Sequence, residues 1–222
     1  MTTKATPNEF QGKMRALLRL YAVTDRSWVG IQTLLEQIES SLLGGTTLVQ
    51  LREKDLSDGE FIQEAISVKR LCDRFGVPLL INDNVNVALH SGADGVHLGQ
   101  DDLPLQEARK MLGSNKIIGV STHTVEEAVK AEQGGADYIG VGSVFTTQTK
   151  LDANVLSIDY IREICQAVSI PAVAIGGIKE ENMDALRDTG VAGIAVVSAI
   201  FGQPDIEIAT LRLKNRVAQL FE

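Results

Sequence analysis

The segment Gln50-Leu51-Arg52-Glu53-Lys54 follows the apolar run Thr47-Leu48-Val49 and sets two cations, an amide and a carboxylate at its end. Ionisable groups are costly to bury, so a cluster of them where an apolar strand ends points to a binding site. Several later apolar runs end in the same manner, in Asn82-Asp83, Gln100-Asp101-Asp102, Ser121, Lys150 and Gly176-Gly177. Asp83 and Asp102 are carboxylates that can converge beside cations. That combination suits Mg²⁺ held by one or two protein oxygens together with ligand phosphates. Helix N-capping is the structural alternative for each, and for Asp101 it is the preferred one.

Arg52, Lys54 and Lys150 carry positive charge toward the same place. Arginine grips a diphosphate bidentately and lysine acts as a mobile point charge, while a salt bridge to Glu53 is the structural alternative for either Arg52 or Lys54. Gly176-Gly177 and the later pair Val197-Ser198 suggest a second anion site. Glycine lets backbone approach a phosphate, and N–H groups at a helix start bind it. His97, inside an apolar run, reads as a packed, hydrogen-bonded residue, and His90 as surface; His123 has no assigned role. No Ser-His-Asp set, metal-spaced histidine pair or strand-borne Schiff-base lysine stands out. Cys72 and Cys165 follow no metal-ligand spacing and read as reduced core thiols.

The elements that must position these residues alternate along the chain. Near-continuous apolar runs cover Leu20–Thr24, Leu48–Leu51, Leu79–Ile81, Gly95–His97, Ile117–Val120, Tyr138–Val141, Ala172–Ile175 and Ala192–Val197. Such runs fit parallel strands buried on both faces. Amphipathic segments lie between them, from Ser57 to about Phe75, from Val125 to about Gln133 and from Ile158 to about Val168, with Asp58, Thr124 and Ser157 as N-cap candidates. Gly44-Gly45, Gly76, Gly92, Gly134-Gly135 and Gly190 stand where helices should stop. The junctions Ser91-Gly-Ala-Asp-Gly, Gly134-Gly-Ala-Asp-Tyr and Thr189-Gly-Val-Ala-Gly nearly repeat, which marks a recurring unit. About eight such units predict an α/β fold, a single (β/α)₈ TIM barrel spanning residues 1–222, with residues 1–18 as an N-terminal helical arm. An open doubly wound sheet is the alternative, but no Gly-x-Gly-x-x-Gly follows the first strand. In such a barrel the strand carboxyl ends carry the active site, where all the residues singled out above would meet.

Composition narrows the partners. With 21 basic and 29 acidic residues the 222-residue chain carries a net charge of −8 and a pI near 5.0. That field disfavours nucleic acid and leaves anionic ligands to a local positive site. No apolar run approaches the roughly 18 residues of a membrane span, and residues 1–14 have no signal-peptide core. The expectation is a cytoplasmic enzyme acting on small molecules, without a membrane or nucleic-acid partner and compatible with a homo-oligomer.

Seven segments together resemble the thiamine phosphate synthase family: QLREK at 50–54, IND at 81–83, VHLGQDD at 96–102, GVSTH at 119–123, TQTK at 147–150, IGGI at 175–178 and VVS at 196–198. They appear in the family's order from about Leu20 to Phe201. The resemblance implies a barrel enzyme, a transferase that joins a pyrimidine diphosphate to a thiazole phosphate and releases pyrophosphate with Mg²⁺. It assigns Gln50, Arg52, Lys54, Asn82, Ser121 and Lys150 to the pyrimidine diphosphate; Leu51 and Glu53 join the substrate-binding set as part of the same segment, with a structural salt bridge as the default role of Glu53. Thr147, Thr149, Gly177, Val197 and Ser198 fall to the thiazole phosphate, Gln148 joins the substrate-binding set between them, and Asp83 and Asp102 fall to the metal. Arg52, Lys54, Ser121 and Lys150 are the expected catalytic groups. The alternatives are a thiazole phosphate tautomerase on the same barrel and a non-catalytic phosphate-binding barrel. Two departures stand out. Ser143-Val144-Phe145-Thr146 replaces the family's more frequent Pro-Ile-Phe-Pro, and Asn84 stands where many members carry a second Asp.

Overall fold

The computed structural model describes residues 7–147 and 154–221. Its strands are β1 (Leu20–Val23), β2 (Leu48–Leu51), β3 (Leu79–Asn82), β4 (Gly95–Leu98), β5 (Ile117–Thr122), β6 (Tyr138–Val141), β7 (Ala172–Ile175) and β8 (Gly193–Val196). All pair in parallel with their sequence neighbours, and β1 also pairs with β8, so the sheet closes in the order one to eight. Around it lie α1 (Pro7–Leu17), α2 (Leu34–Gly44), α3 (Asp58–Phe75), α4 (Val85–Ser91), α5 (Leu105–Leu112), α6 (Val125–Gln133), α7 (Ile158–Ala167), α8 (Ser198–Phe201) and α9 (Ile206–Leu220). The expected (β/α)₈ barrel is the observed fold. Between β7 and β8, however, a short 3₁₀ turn, Met183–Leu186, stands in place of a full helix.

Strand alternation divides the core in two. Outward residues such as Val49, Leu51, Ile81, Val96, Ile118, Ile139 and Ala174 pack against the helices. Inward residues Tyr21, Val23, Leu48, Leu80, Tyr138, Val173 and Ala195 form a separate interior cluster, closed from below by Met14 and Leu18 at the end of the arm. The arm is thus a plug on the face opposite the strand carboxyl ends. Because side chains on a strand alternate with a period of two, each residue's parity decides which of the two cores it joins.

Helix starts follow the sequence signals with one correction. Thr124 and Ser157 cap α6 and α7 as expected, but Ser57 rather than Asp58 caps α3, in a capping box with Glu60. The serine hydroxyl accepts from the Glu60 N–H while the glutamate reaches back, a reciprocal bond that a residue inside the first turn does not make. Gly45, Gly76 and Gly92 end α2, α3 and α4 with φ of 101°, 67° and 75°, a left-handed turn that other residues adopt at a cost.

Candidate active site

A cavity of about 450 Å³ opens at the carboxyl ends of the strands. Its lining collects Gln50, Arg52 and Lys54 from the end of β2, Asn82 and Asp83 from β3, and His97 and Asp102 from β4 and its loop. Ser121 from β5, Thr147 from the loop after β6, Gly177 after β7, and Val197 and Ser198 after β8 complete it. Nearly every described residue singled out from the sequence therefore faces one space. The volume falls within the range of small-molecule sites. Gln148, Thr149 and Lys150 lie outside the described residues.

Alternation explains both what enters the cavity and what does not. Gln50, Arg52 and Lys54 share one parity and reach inward; Leu51 and Glu53 share the other. Leu51 is fully buried in the outer core. The Glu53 carboxylate instead accepts two bonds from Arg26, at 2.8 and 2.9 Å. Neither side chain lines the cavity, and Glu53 makes the structural salt bridge expected of it, with Arg26 as the partner. Glu53 also pairs with neither Arg52 nor Lys54. Burial pushes its carboxyl group upward in pKa despite the Arg26 pair.

The two cations of this segment are held by acids. Arg52 Nη1 donates to Asp25 Oδ2 at 2.9 Å, and its backbone N–H donates to Thr24 Oγ1 at 2.9 Å. Lys54 Nζ donates to Asp83 Oδ2 at 2.6 Å. Asp83 sits at φ 63°, left-handed backbone that a non-glycine residue occupies at some cost, held there by its N–H donating to the His97 carbonyl at 2.8 Å. Asn84, not Asp83, caps α4, and α5 begins only at Leu105, so Asp83, Asp101 and Asp102 cap no helix. Asp101, expected to cap one, lies at the cavity rim.

Asp102 accepts from the Gly99 N–H at 2.7 Å and touches Asp83. Burial, then the contact with Asp83, pushes its carboxyl group upward in pKa. Two carboxyl groups in contact repel unless a proton or a cation lies with them, so the pair fits a divalent ion. Among the described residues no set of three His, Cys, Asp or Glu side chains forms a metal cage. Asp83 and Asp102 would hold Mg²⁺ by one or two protein oxygens and leave the remaining positions to ligand phosphates and water.

On the other side of the cavity, Gly176 and Gly177 adopt φ of 104° and 63°. A Cβ on Gly177 would lie 2.4 Å from the Thr146 carbonyl oxygen, and one on Gly176 2.0 Å from Ser143 Oγ. These glycines let the loop after β6 lie directly on the end of β7, with Phe145 N–H donating to the Gly176 carbonyl at 2.9 Å. The same contact brings Thr147 beside Gly177 and Ser198 in the cavity wall.

The floor is polar. His97 donates or accepts at Tyr138 OH (2.8 Å) and at Ser121 Oγ (2.9 Å), as its reading as a hydrogen-bonded residue required. Burial lowers its pKa to about 4, so the ring is neutral near pH 7. Tyr21 and Tyr138 were not singled out from the sequence. The available signal was a tyrosine at an inward position of an otherwise apolar strand, since a buried phenol needs a partner. Asp25 and Arg26 were also missed, because their partners lie 27 residues away. His123 reaches the cavity too, its Nδ1 3.2 Å from Glu127 Oε2.

Comparison with known proteins agrees with this geometry. A family model described as thiamine monophosphate synthase matches residues 20–200. The thiamine-phosphate synthase of Ruminiclostridium cellulolyticum is 52% identical over 194 residues, covering 87% of this chain and 92% of its own. That of Clostridium tetani is 50% identical over 190 residues, covering 86% and 91%. The solved thiamine phosphate pyrophosphorylase of Pyrococcus furiosus superposes with a TM-score of 0.87 at 39% identity, over 94% of this chain and all of that one. With a strand-end cavity lined by these residues and a barrel this similar throughout its length, the chain belongs to the thiamine monophosphate synthase family.

Proposed function

We propose that the cavity condenses 4-amino-2-methyl-5-(diphosphooxymethyl)pyrimidine with a thiazole phosphate to give thiamine phosphate and pyrophosphate. The observation that carries this reading is one cavity shared by Arg52, Lys54, Asp83 and Asp102 on one side and Gly177 and Ser198 on the other. A tautomerase or a simple phosphate-binding barrel has no use for the first set.

Gln50 and Asn82 recognise the pyrimidine, and Arg52, Lys54 and Lys150 receive its diphosphate. Thr147, Gln148, Thr149, Gly177, Val197 and Ser198 hold the thiazole phosphate. The carbon–oxygen bond to the diphosphate breaks with both electrons passing to the leaving oxygen. The thiazole nitrogen lone pair then forms the new bond to the pyrimidine methylene carbon. Mg²⁺, held by Asp83 and Asp102, supplies positive charge to the phosphate oxygens when bound. Arg52, Lys54 and Lys150 add to that charge at the leaving group, and Ser121 orients the reacting ring. Such a reaction rests on positioning and electrostatic stabilisation, so no protein nucleophile is needed. The acidic chain and two free thiols suit the cytoplasm.

The test is pyrophosphate release from the pyrimidine diphosphate, measured with and without thiazole phosphate and with and without Mg²⁺. Release that requires both supports the synthase; release that ignores thiazole phosphate, or none at all, overturns it.

A further inference from the structure

A continuous hydrogen-bonded chain crosses the barrel interior beneath the cavity. Gln50 Nε2 donates to Tyr21 OH at 2.5 Å, Tyr21 OH meets Tyr138 OH at 3.0 Å, Tyr138 OH meets His97 Nδ1 at 2.8 Å, and His97 Nε2 meets Ser121 Oγ at 2.9 Å. Five residues from five strands take part: Gln50 and Ser121 at its ends line the cavity, Tyr21 and His97 border it too, and Tyr138 alone does not. Barrel interiors are ordinarily filled with branched apolar side chains, so a polar chain here is a departure. The barrel is built around it. A Cβ on Gly119 would lie 2.0 Å from Tyr138 Cζ, and one on Gly140 would lie 3.2 Å from His97 Cε1. Met14 and Leu18 seal the tyrosines from below.

We propose that Tyr21, Tyr138 and His97 are positioning residues that couple the hydrogen-bonding polarity of Gln50 to that of Ser121, so that the cavity selects an amino-substituted over an oxo-substituted pyrimidine. The proposal rests on the synthase reading and adds the part of the molecule that enforces its choice of ring. A hydroxyl donates one hydrogen, and a neutral imidazole carries one donor and one acceptor. A hydroxyl can also accept twice, so every hydrogen in the chain finds an acceptor within it only when all the bonds point the same way. With Gln50 Nε2 donating, Tyr21 donates to Tyr138, Tyr138 to His97 Nδ1, and His97 Nε2 to Ser121 Oγ. That order leaves the Gln50 carbonyl as an acceptor for a ring amino group and the Ser121 hydroxyl as a donor for a ring nitrogen. An oxo ring presents the opposite pattern. To accept it, both tyrosyl hydroxyls, the histidine tautomer and the glutamine amide must all reverse together.

The experiment measures calorimetric binding of the amino pyrimidine diphosphate and its 4-oxo analogue, without thiazole phosphate, to the wild type and to Tyr138→Phe. The phenylalanine keeps the ring over Gly119 and cuts the chain in the middle. The wild type should prefer the amino compound roughly 100-fold, because the wrong ring leaves buried polar groups unpaired. In the variant each end reorients alone, and the preference should fall to about 10-fold or less, with the KM for thiazole phosphate unchanged. Tyr21→Phe cuts the chain elsewhere and should give the same collapse. A folded variant of either kind that keeps the wild-type preference overturns the relay, since a merely structural role weakens both compounds alike. Wild-type protein that binds neither compound overturns the synthase reading and the relay with it. Amino binding with an unchanged ratio overturns the relay alone.

Discussion

Lys54 Nζ and Asp83 Oδ2 lie 2.6 Å apart at the cavity mouth, so a cation and an acid assigned to different parts of one ligand hold each other. The lysine side chain is 51% exposed and the aspartate 30%, so the pair itself adds little to stability, about 0–1 kcal/mol. The salt bridge alone therefore does not account for the left-handed backbone at Asp83. Asp83→Asn and Lys54→Ala should each lower kcat/KM roughly 100-fold or more, while the thermal midpoint stays within a few degrees. Steady-state kinetics with a melting curve for each variant checks this; an active Asp83→Asn enzyme would remove Asp83 from the metal site.

The Arg26–Glu53 pair should behave in the opposite way. Glu53 is almost wholly buried, with its side chain 2% exposed, and Arg26 supplies both of its guanidinium bonds. Arg26→Ala leaves a buried carboxylate without its partner and should cost about 1–2 kcal/mol. The KM for either substrate should change little, because neither side chain lines the cavity. Denaturant unfolding alongside KM measurements distinguishes this from a direct binding role.

Gly119 is needed for space rather than for a turn. An added methyl group would lie 2.0–2.4 Å from the Tyr138 ring, which is fully buried and bonded at its hydroxyl. Gly119→Ala should destabilise the barrel by about 2–3 kcal/mol through overpacking. Chemical denaturation of the variant gives the value, and wild-type stability would show that the interior is looser than its geometry.

His97 makes stability depend on pH. Its folded pKa of about 4 lies below the ordinary 6.5, so between those values the unfolded chain binds more protons than the folded one. The contribution of the neutral ring is complete above pH 6.5 and is lost as pH falls toward 4. For a ring that also borders the cavity it amounts to at most about 3 kcal/mol. His97→Gln should flatten the stability profile between pH 6.5 and 4 relative to the wild type, as measured by urea unfolding across that range. Parallel profiles would mean that the ring titrates normally.

The strands, their order and most of the cavity were legible in the amino-acid pattern. Eight apolar runs separated by helix-period segments leave little choice but a closed parallel barrel, and in that fold strand ends meet. Gln50, Arg52, Lys54, Asp83, Asp102, Gly177 and Ser198 could therefore be placed together without coordinates. Local chemistry was equally legible at Thr124 and Ser157, whose caps involve residues three positions away.

Pairing over long separations was settled by how the chain closes on itself. Glu53 could have met Arg52 or Lys54; closure of the barrel brought Arg26 to it instead, from the loop after β1. Leu51 left the site because its parity turned it toward the helices. Tyr21 and Tyr138 stand 117 residues apart, and nothing in the spacing of either foretold their contact. Periodicity encodes which way a side chain faces, but the partner it finds there depends on how distant strands come into register around the closed barrel.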